Sequence, residues 1–476
     1  MRLFPFKRSR RKQKVFVIGL DCADPELVFN KWRDDLPNLN GLAASGLYGN
    51  LQSTIPAITV PAWSSMLSSK DPGTLGFYGF RNRANYTYDK MTIAMGNAVR
   101  EKRVWNYLTD AGLTSVVIGV PQTYPVRPLK GHLISGFLTP NTKSDFTYPH
   151  AFRNEVLSVA PEFDFDVKEF RTDDKDFLLE QIYRMTESHF KVIDYALTKK
   201  PWDFFMAMEI GVDRIHHGFW HFMDKEHFRY KPGNPYENVI LDYYKTMDTK
   251  IGEWLSHLDE DTVVLIVSDH GAKRMEGGIC INEWLWRNGY LRFMHDPKPG
   301  RIVKFEDMDV DWGRTKAWGS GGYYGRLCLN VKGREPEGTV DPSEYEKLCD
   351  EIIEKLTALP DPDGKPIPTR IFKSHEIYRS VNGIPPDLFV YFGDLYWRSV
   401  GTLGYESWHT FENDTGPDSC NHAEYGMFIF YDPKNKRNGQ TVDGAQLMDI
   451  APTILDCMGV RIPDDLQGRS LNRLAP

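Results

Sequence analysis

At 476 residues the chain can bury a large core with room for a second unit, and its balance of 41% hydrophobic and 26% charged residues excludes a disordered or fibrous polymer. A net charge of −7 argues against affinity of the whole protein for nucleic acid, so no nucleic-acid polymer is expected as a partner. No run approaches the roughly 18 apolar residues that a spanning helix needs.

Residues 1–13 read as a solvated basic tail. Six Lys or Arg lie between Lys7 and Lys14, with no apolar stretch of a secretory signal behind them. Weak contact with an anionic membrane surface is what such a tail suggests. The six cysteines, Cys22, Cys280, Cys328, Cys349, Cys420 and Cys457, are scattered with no C-x-x-C pair. That pattern predicts reduced thiols and a cytoplasmic location.

"KVFVIGLDCAD" opens the ordered chain with a short apolar run, Val15 to Leu20, ending in Asp21; it predicts a buried central strand. "AITVPAWSSMLSS" places Thr59 two residues before Pro61 and predicts a helix starting near that proline, where the missing N–H costs nothing. The strand grammar recurs at 114–120, at 203–213 ending in acids, and at 261–271 ending in Asp269 and His270. Helical spacing fills 102–112, 176–200 and 237–258. Strands alternating with helices predict an α/β fold: a doubly wound, mostly parallel sheet with helices on both faces. From 301 to 400 the texture turns Gly-rich with short strands and one amphipathic helix, which predicts a smaller α+β insertion. Residues 421–433 return to the main unit and 444–459 close it as a helix, so 14–300 and 401–476 form the core.

Asp21, Asp213, Asp269 and His270 all follow strand C-termini, the edge of such a sheet where ligands bind. "VDRIHHGFWH" sets Asp213 and His217 four apart, on one face of a helical turn; His216 and His221 are the rival imidazoles. "SDHG" offers two adjacent ligand types in a turn that its glycine lets bend sharply, and "NHAEYGMFIF" places His422 just before an apolar strand. Three Asp and three His suffice for two transition-metal ions.

The ordered set "GLDCAD", "STIPAITVPAWSSML", "VDRIHHGFWH", "VSDHGA" and "CNHAEYGMFIF" resembles the alkaline phosphatase superfamily, in its type I phosphodiesterase/nucleotide pyrophosphatase branch. The resemblance runs from residue 14 to about 470. It implies Thr59 as the catalytic nucleophile, with Asp21, Asp269 and His270 on one metal and Asp213, His217 and His422 on the second. It implies two divalent ions, zinc first with manganese or iron as alternatives, a small-molecule phosphoester substrate, and hydrolysis of a phosphodiester or pyrophosphate-type bond through a phospho-threonine.

The sequence departs from that branch in "DPGTLGFYGFRNRAN", where Leu75 and Phe80 stand at the positions of an expected His and Asn. Arg81, Asn82 and Lys273 are expected to grip substrate oxygens in their place, with Arg83 as an alternative. A sulfatase would need Cys or Ser for Thr59 and Arg for Trp63. Phosphonate hydrolysis, phosphomutase chemistry and a non-catalytic metal- or phosphate-binding role are the competing readings. "NVKGREPEGTV" at 330–340 resembles a stretch of the same superfamily, with Arg334 or Glu335 expected to cap the turn that follows, contact with substrate being the alternative.

Overall fold

The computed structural model describes residues 13–473, so the expected basic tail lies, apart from Gln13, outside the described residues. The apolar runs become the strands β1 (Val15–Leu20), β2 (Leu47–Gln52), β3 (Ser115–Ile118), β4 (Gly131–Ile134), β5 (Thr147–Tyr148), β6 (Phe204–Glu209), β7 (Val263–Val267), β8 (Tyr425–Tyr431) and β9 (Gln440–Thr441). Among the described residues they form one sheet in the order β9-β2-β8-β7-β1-β6-β3-β4-β5. β1 runs parallel to β6 and β7, β3 parallel to β6 and β4, and β2 parallel to β9. β8 is antiparallel to both β2 and β7, and β5 is antiparallel to β4. The sheet is therefore mostly parallel, as expected.

Every residue of β1 is buried, which requires cover on both faces of the sheet. One helical layer is α1 (Pro37–Ser45), α3 (Lys175–Lys199), α4 (Gly211–Met223) and α5 (Val239–Leu255), which contact one another. The other contains α2 (Thr59–Ser68) packed on the closing helix α7 (Ile450–Cys457). Element ends differ from the sequence expectation where polar chemistry intervenes. The strand expected over 203–213 stops at Glu209, and the chain turns into α4 at Gly211, so Asp213 lies in a helix's first turn. β7 stops at Val267, leaving Asp269 and His270 in the following turn. The closing helix begins at Ile450, after the 3-10 turn Leu447–Asp449.

The inserted region builds an antiparallel four-stranded sheet in the order Ala317–Ser320, Gly325–Leu329, Leu388–Tyr391, Arg370–Lys373, beside α6 (Tyr345–Thr357). Its apolar core runs from Ile279 to Leu403. Glu335 takes the amide of Val331 at 2.9 Å, and the Arg334 guanidinium grips Asp387 at 2.7 and 2.8 Å, so this stretch holds its own turn. A smaller aromatic cluster of Ile58, Tyr78, Tyr324, Phe389, Tyr391 and Leu395 joins the insertion to the loop before α2.

One close approach couples sheet to site. A Cβ on Gly19, near the end of β1, would lie 2.4 Å from the Trp63 ring of α2, so only glycine lets that indole reach across. Gly19→Ala is expected to cost about 1–3 kcal/mol by overpacking. Gly41→Ala, on the exposed side of α1 with nothing within 4 Å, is expected to stabilise by about 0.5–1 kcal/mol. Thermal unfolding of the two variants checks the contrast: opposite shifts support the packing, and a neutral Gly19→Ala contradicts it.

Candidate active site

Ile58 caps α2 with extended backbone, and the first i→i−4 bond runs from the Ala62 amide to the Ile58 carbonyl at 3.0 Å. Thr59 is thus the first helical residue, not the cap. Pro61 is the third rather than the first, still among positions whose amide has no helical partner. The preceding loop is fixed from the insertion: the Ala57 amide donates to the Tyr391 hydroxyl at 2.9 Å, and Tyr378 donates to the Ile55 carbonyl at 2.5 Å. Thr59 ends up 5% exposed, with the first turn of a helix behind its hydroxyl.

That hydroxyl lies 3.4 Å from His270 Nε2. The same nitrogen is 3.2 Å from Asp269 Oδ2 and 3.8 Å from Asp21 Oδ1. On the far side of the ring, Nδ1 contacts the Gly271 carbonyl at 3.1 Å; a carbonyl only accepts, so Nδ1 carries the hydrogen and Nε2 presents a lone pair. Asp21 is held by the Trp63 indole N–H at 2.8 Å, and Asp269 by the Cys22 amide at 3.2 Å. The remaining oxygen of each, Asp21 Oδ1 and Asp269 Oδ2, is buried without a hydrogen-bond partner. Gly271 serves close packing rather than a sharp bend: a Cβ there would meet the Tyr425 carbonyl at 2.3 Å.

A second group adjoins the first. His217 Nε2 lies 3.3 Å from Asp213 Oδ1 and 3.3 Å from His422 Nε2, and His422 Nε2 is 4.0 Å from Asp213 Oδ1. His422 donates from Nδ1 to the Ala57 carbonyl at 3.0 Å, and its ring stacks on His270 with centroids 3.8 Å apart. His217 Nδ1 meets the Asp418 carboxylate at 2.8 Å. Arg214 bonds Asp213 Oδ2 and forks onto Asp166 at 2.7 Å through both Nε and Nη2. Of the rival imidazoles, His216 stacks on Tyr244 and His221 contacts the Ser419 hydroxyl.

Electrostatics show what this arrangement asks for. Burial, with Asp269 and Asp213 nearby, pushes the Asp21 carboxyl well above its usual range. Burial likewise raises Asp269 to about 6. Burial works against ionising Asp213 too, but His217 and Arg214 overcome it and hold Asp213 well below the usual range. Burial, His270 and His217 depress His422. Two orphaned carboxylate oxygens and inward-facing imidazole nitrogens, separated by 3.2–4.0 Å, match the donor set and spacing of cations bonded at about 2.0–2.2 Å. The groups Asp21–Asp269–His270 and Asp213–His270–His422 each bring three donor atoms within 4.8 Å of one another. These two groups share His270, and a third, Cys22–Asp213–His217, adjoins them; the residues fit one or two divalent ions.

Residues 15–418 match the type I phosphodiesterase / nucleotide pyrophosphatase family. The chain belongs to that family. It is a phosphoric ester hydrolase of this branch of the alkaline phosphatase superfamily. Its fold is similar to human ectonucleotide pyrophosphatase / phosphodiesterase 5 (12% identity, TM-score 0.55, 97% of this chain and 98% of the other). It is similar to the murine counterpart, solved as an inactive threonine-to-alanine variant in complex with AMP (11%, 0.55, 97% and 98%). It is also similar to phosphonoacetate hydrolase from Sinorhizobium meliloti 1021 in complex with phosphonoformate (15%, 0.59, 95% and 98%). Comparison with curated proteins finds no match.

In this phosphodiesterase-family chain two of the three expected substrate-gripping residues, Asn82 and Lys273, have partners of their own. Asn82 closes its turn, accepting from the Tyr78 amide at 2.6 Å and donating to the Gly79 carbonyl at 2.9 Å. Lys273 donates to the Asp394 carbonyl at 2.8 Å, and Arg83 pairs with Glu335 at 3.0 Å. The Arg81 side chain is exposed. Phe80 packs edge-on against Phe137. Sequence reasoning missed Trp63 as the donor to Asp21, Asp418 behind His217, and Tyr323, whose ring stacks on His422 at 4.0 Å.

A pH dependence follows. In the cation-free protein burial keeps the Asp269 proton on up to about pH 6, above the ordinary aspartate value of 3.8. The stability this group contributes is therefore full below about pH 4 and lost as pH rises through about 6. A bound cation replaces the proton. The Tm difference between cation-loaded and chelator-treated protein is expected to widen from pH 5 to pH 7. Calorimetry at fixed ionic strength checks it, and a constant or narrowing difference contradicts it.

Proposed function

We propose that this chain hydrolyses a phosphodiester or pyrophosphate-type bond of a small molecule, with Thr59 as the nucleophile. The observation that carries the reading is the Thr59 hydroxyl at 3.4 Å from His270 Nε2, at the head of a helix and beside two unsatisfied carboxylate oxygens. The inactive threonine-to-alanine form of the murine relative supports the same role. Asp21, Asp269 and His270, with the Thr59 oxygen, would hold one cation; Asp213, His217 and His422 would hold the other. When bound, two divalent ions, zinc by donor type with manganese or iron as alternatives, favour the alkoxide and neutralise charge on the phosphoryl oxygens.

The chain's own part is placement. The loop held by Tyr378 and Tyr391 presents Thr59 Oγ1 for in-line attack on phosphorus. As the Oγ–P bond forms, the bond from phosphorus to the leaving alcohol or phosphate oxygen breaks. Water then cleaves the phospho-threonine, returning the hydroxyl and releasing the phosphoryl product. The N-terminus of α2 adds partial positive charge where the anion builds. A phosphonate ester is the second reading, favoured by the apolar Leu75 and Phe80 where nucleotide pyrophosphatases are expected to carry polar groups. The buried thiols of Cys22, Cys280, Cys328, Cys349 and Cys420, none of them in a disulfide, support a reducing compartment, the cytoplasm.

A panel of chromogenic esters with added Zn²⁺ or Mn²⁺ tests the proposal: phosphate monoester, phosphate diester, phosphonate monoester and sulfate. The diester or phosphonate ester is expected to turn over fastest. Thr59→Ala is expected to lose turnover by at least about a thousandfold while keeping its ions, as for a nucleophile acting in concert with its site. Preference for the sulfate or the monoester by more than about a hundredfold, or an active Thr59→Ala, overturns the reading.

A further inference from the structure

We propose that Asp418 is a positioning residue for the second cation site, and that the insertion sets it there through Tyr323 and Arg398. The inference rests on the two-cation reading above.

Asp418 is fully buried at its side chain, in the segment that returns from the insertion to β8. Its Oδ1 faces His217 Nδ1 at 2.8 Å and the Cys420 amide at 3.4 Å. Its Oδ2 faces the Tyr323 hydroxyl at 3.4 Å, Arg398 Nη1 at 3.4 Å and Arg171 Nε at 3.5 Å. A residue present merely to neutralise two arginines would make its short bonds to them. Here the short, charge-assisted bond goes to the imidazole, and the arginine contacts sit at the edge of hydrogen-bonding range.

The direction of that bond matters. An ionised carboxylate only accepts, so it fixes the hydrogen on Nδ1 and leaves Nε2 to face Asp213 Oδ1 and His422 Nε2, each at 3.3 Å. This is the outer partner that orients a ligating imidazole and raises its basicity. Arg398 Nη1 and Arg171 Nε, both facing Oδ2, set positive charge beside the carboxylate. Tyr323 does a second job, because its ring also stacks on His422. Arg398, 1% exposed, lies over that same ring at 5.0 Å. Both imidazoles of the second group therefore lean on residues from the insertion, whereas Asp21, Asp269 and His270 are held by Trp63, the Cys22 amide and the Gly271 carbonyl.

The test uses the full chain loaded with Co²⁺, measured by equilibrium dialysis and visible absorption. The wild-type protein is expected to hold two Co²⁺. Asp418→Asn, whose amide can donate as well as accept, is expected to keep one ion at wild-type affinity and bind the other about 10–100-fold more weakly, with a changed d–d band for that ion. Asp418→Glu is expected to restore part of the loss. Tyr323→Phe, which removes one contact to Oδ2 and keeps the ring on His422, is expected to weaken the same ion about threefold to tenfold; it carries the test if Asp418→Asn does not fold. Two ions bound at wild-type affinity with an unchanged spectrum in folded Asp418→Asn and in Tyr323→Phe overturn the proposal. Fewer than two Co²⁺ on the wild-type protein overturns the two-cation reading itself, and this inference with it.

Discussion

Three carboxylates, Asp21, Asp213 and Asp269, are buried side by side, and the rest of the structure answers the repulsion between them. A buried carboxylate without a partner costs several kcal/mol, so such a grouping persists only where something positive completes it. Asp213 has Arg214 and His217. Asp21 and Asp269 each have one donor, and each keeps an oxygen with none. The imidazole nitrogens of His217, His270 and His422 point inward to the same space, their outer nitrogens fixed by Asp418, the Gly271 carbonyl and the Ala57 carbonyl. Asp21 Oδ1 and Asp269 Oδ2, facing His270 Nε2 at 3.8 and 3.2 Å with no donor of their own, form an arrangement that a bound cation would stabilise.

The fold brings these groups together by a division of labour. The parallel strands β1, β6 and β7 deliver Asp21, Asp213 and Asp269 to the same sheet edge, because parallel neighbours end on the same side. β8 runs antiparallel to its neighbours, so His422 arrives from the opposite chain direction, in a short strand paired with the segment that follows His270. The insertion closes the site. Tyr378 and Tyr391 fix the loop that presents Thr59, while Tyr323 and Arg398 buttress the imidazoles. Gly19 is the small residue on which much of this turns, because it lets Trp63 pass close to β1 and reach Asp21.

The parts legible in the sequence were those whose signal is local. Fully apolar runs ending in acids mark buried strands and the edge where they stop. Asp213 and His217 declare a shared helical face by their spacing. What stayed hidden depends on contacts between distant segments. Asp418 sits in "NDTGPDSC", whose composition says only turn, and its partner His217 is 201 residues away. Trp63 stood out only as not being arginine, yet its N–H is what steadies Asp21. Asn82 and Lys273 carry the right chemistry for gripping an anion, but turn closure and Asp394 engage them, and side-chain engagement of that kind has no sequence signature.

The central claim is that six side chains from far-apart segments surround one threonine oxygen and hold two cations. Anomalous X-ray scattering at the zinc edge, from crystals grown with Zn²⁺, tests it most directly. The account predicts two peaks about 4 Å apart, one flanked by Asp21, Asp269, His270 and the Thr59 oxygen, the other by Asp213, His217 and His422. Peaks elsewhere, or a Thr59 hydroxyl turned away from both, would contradict it.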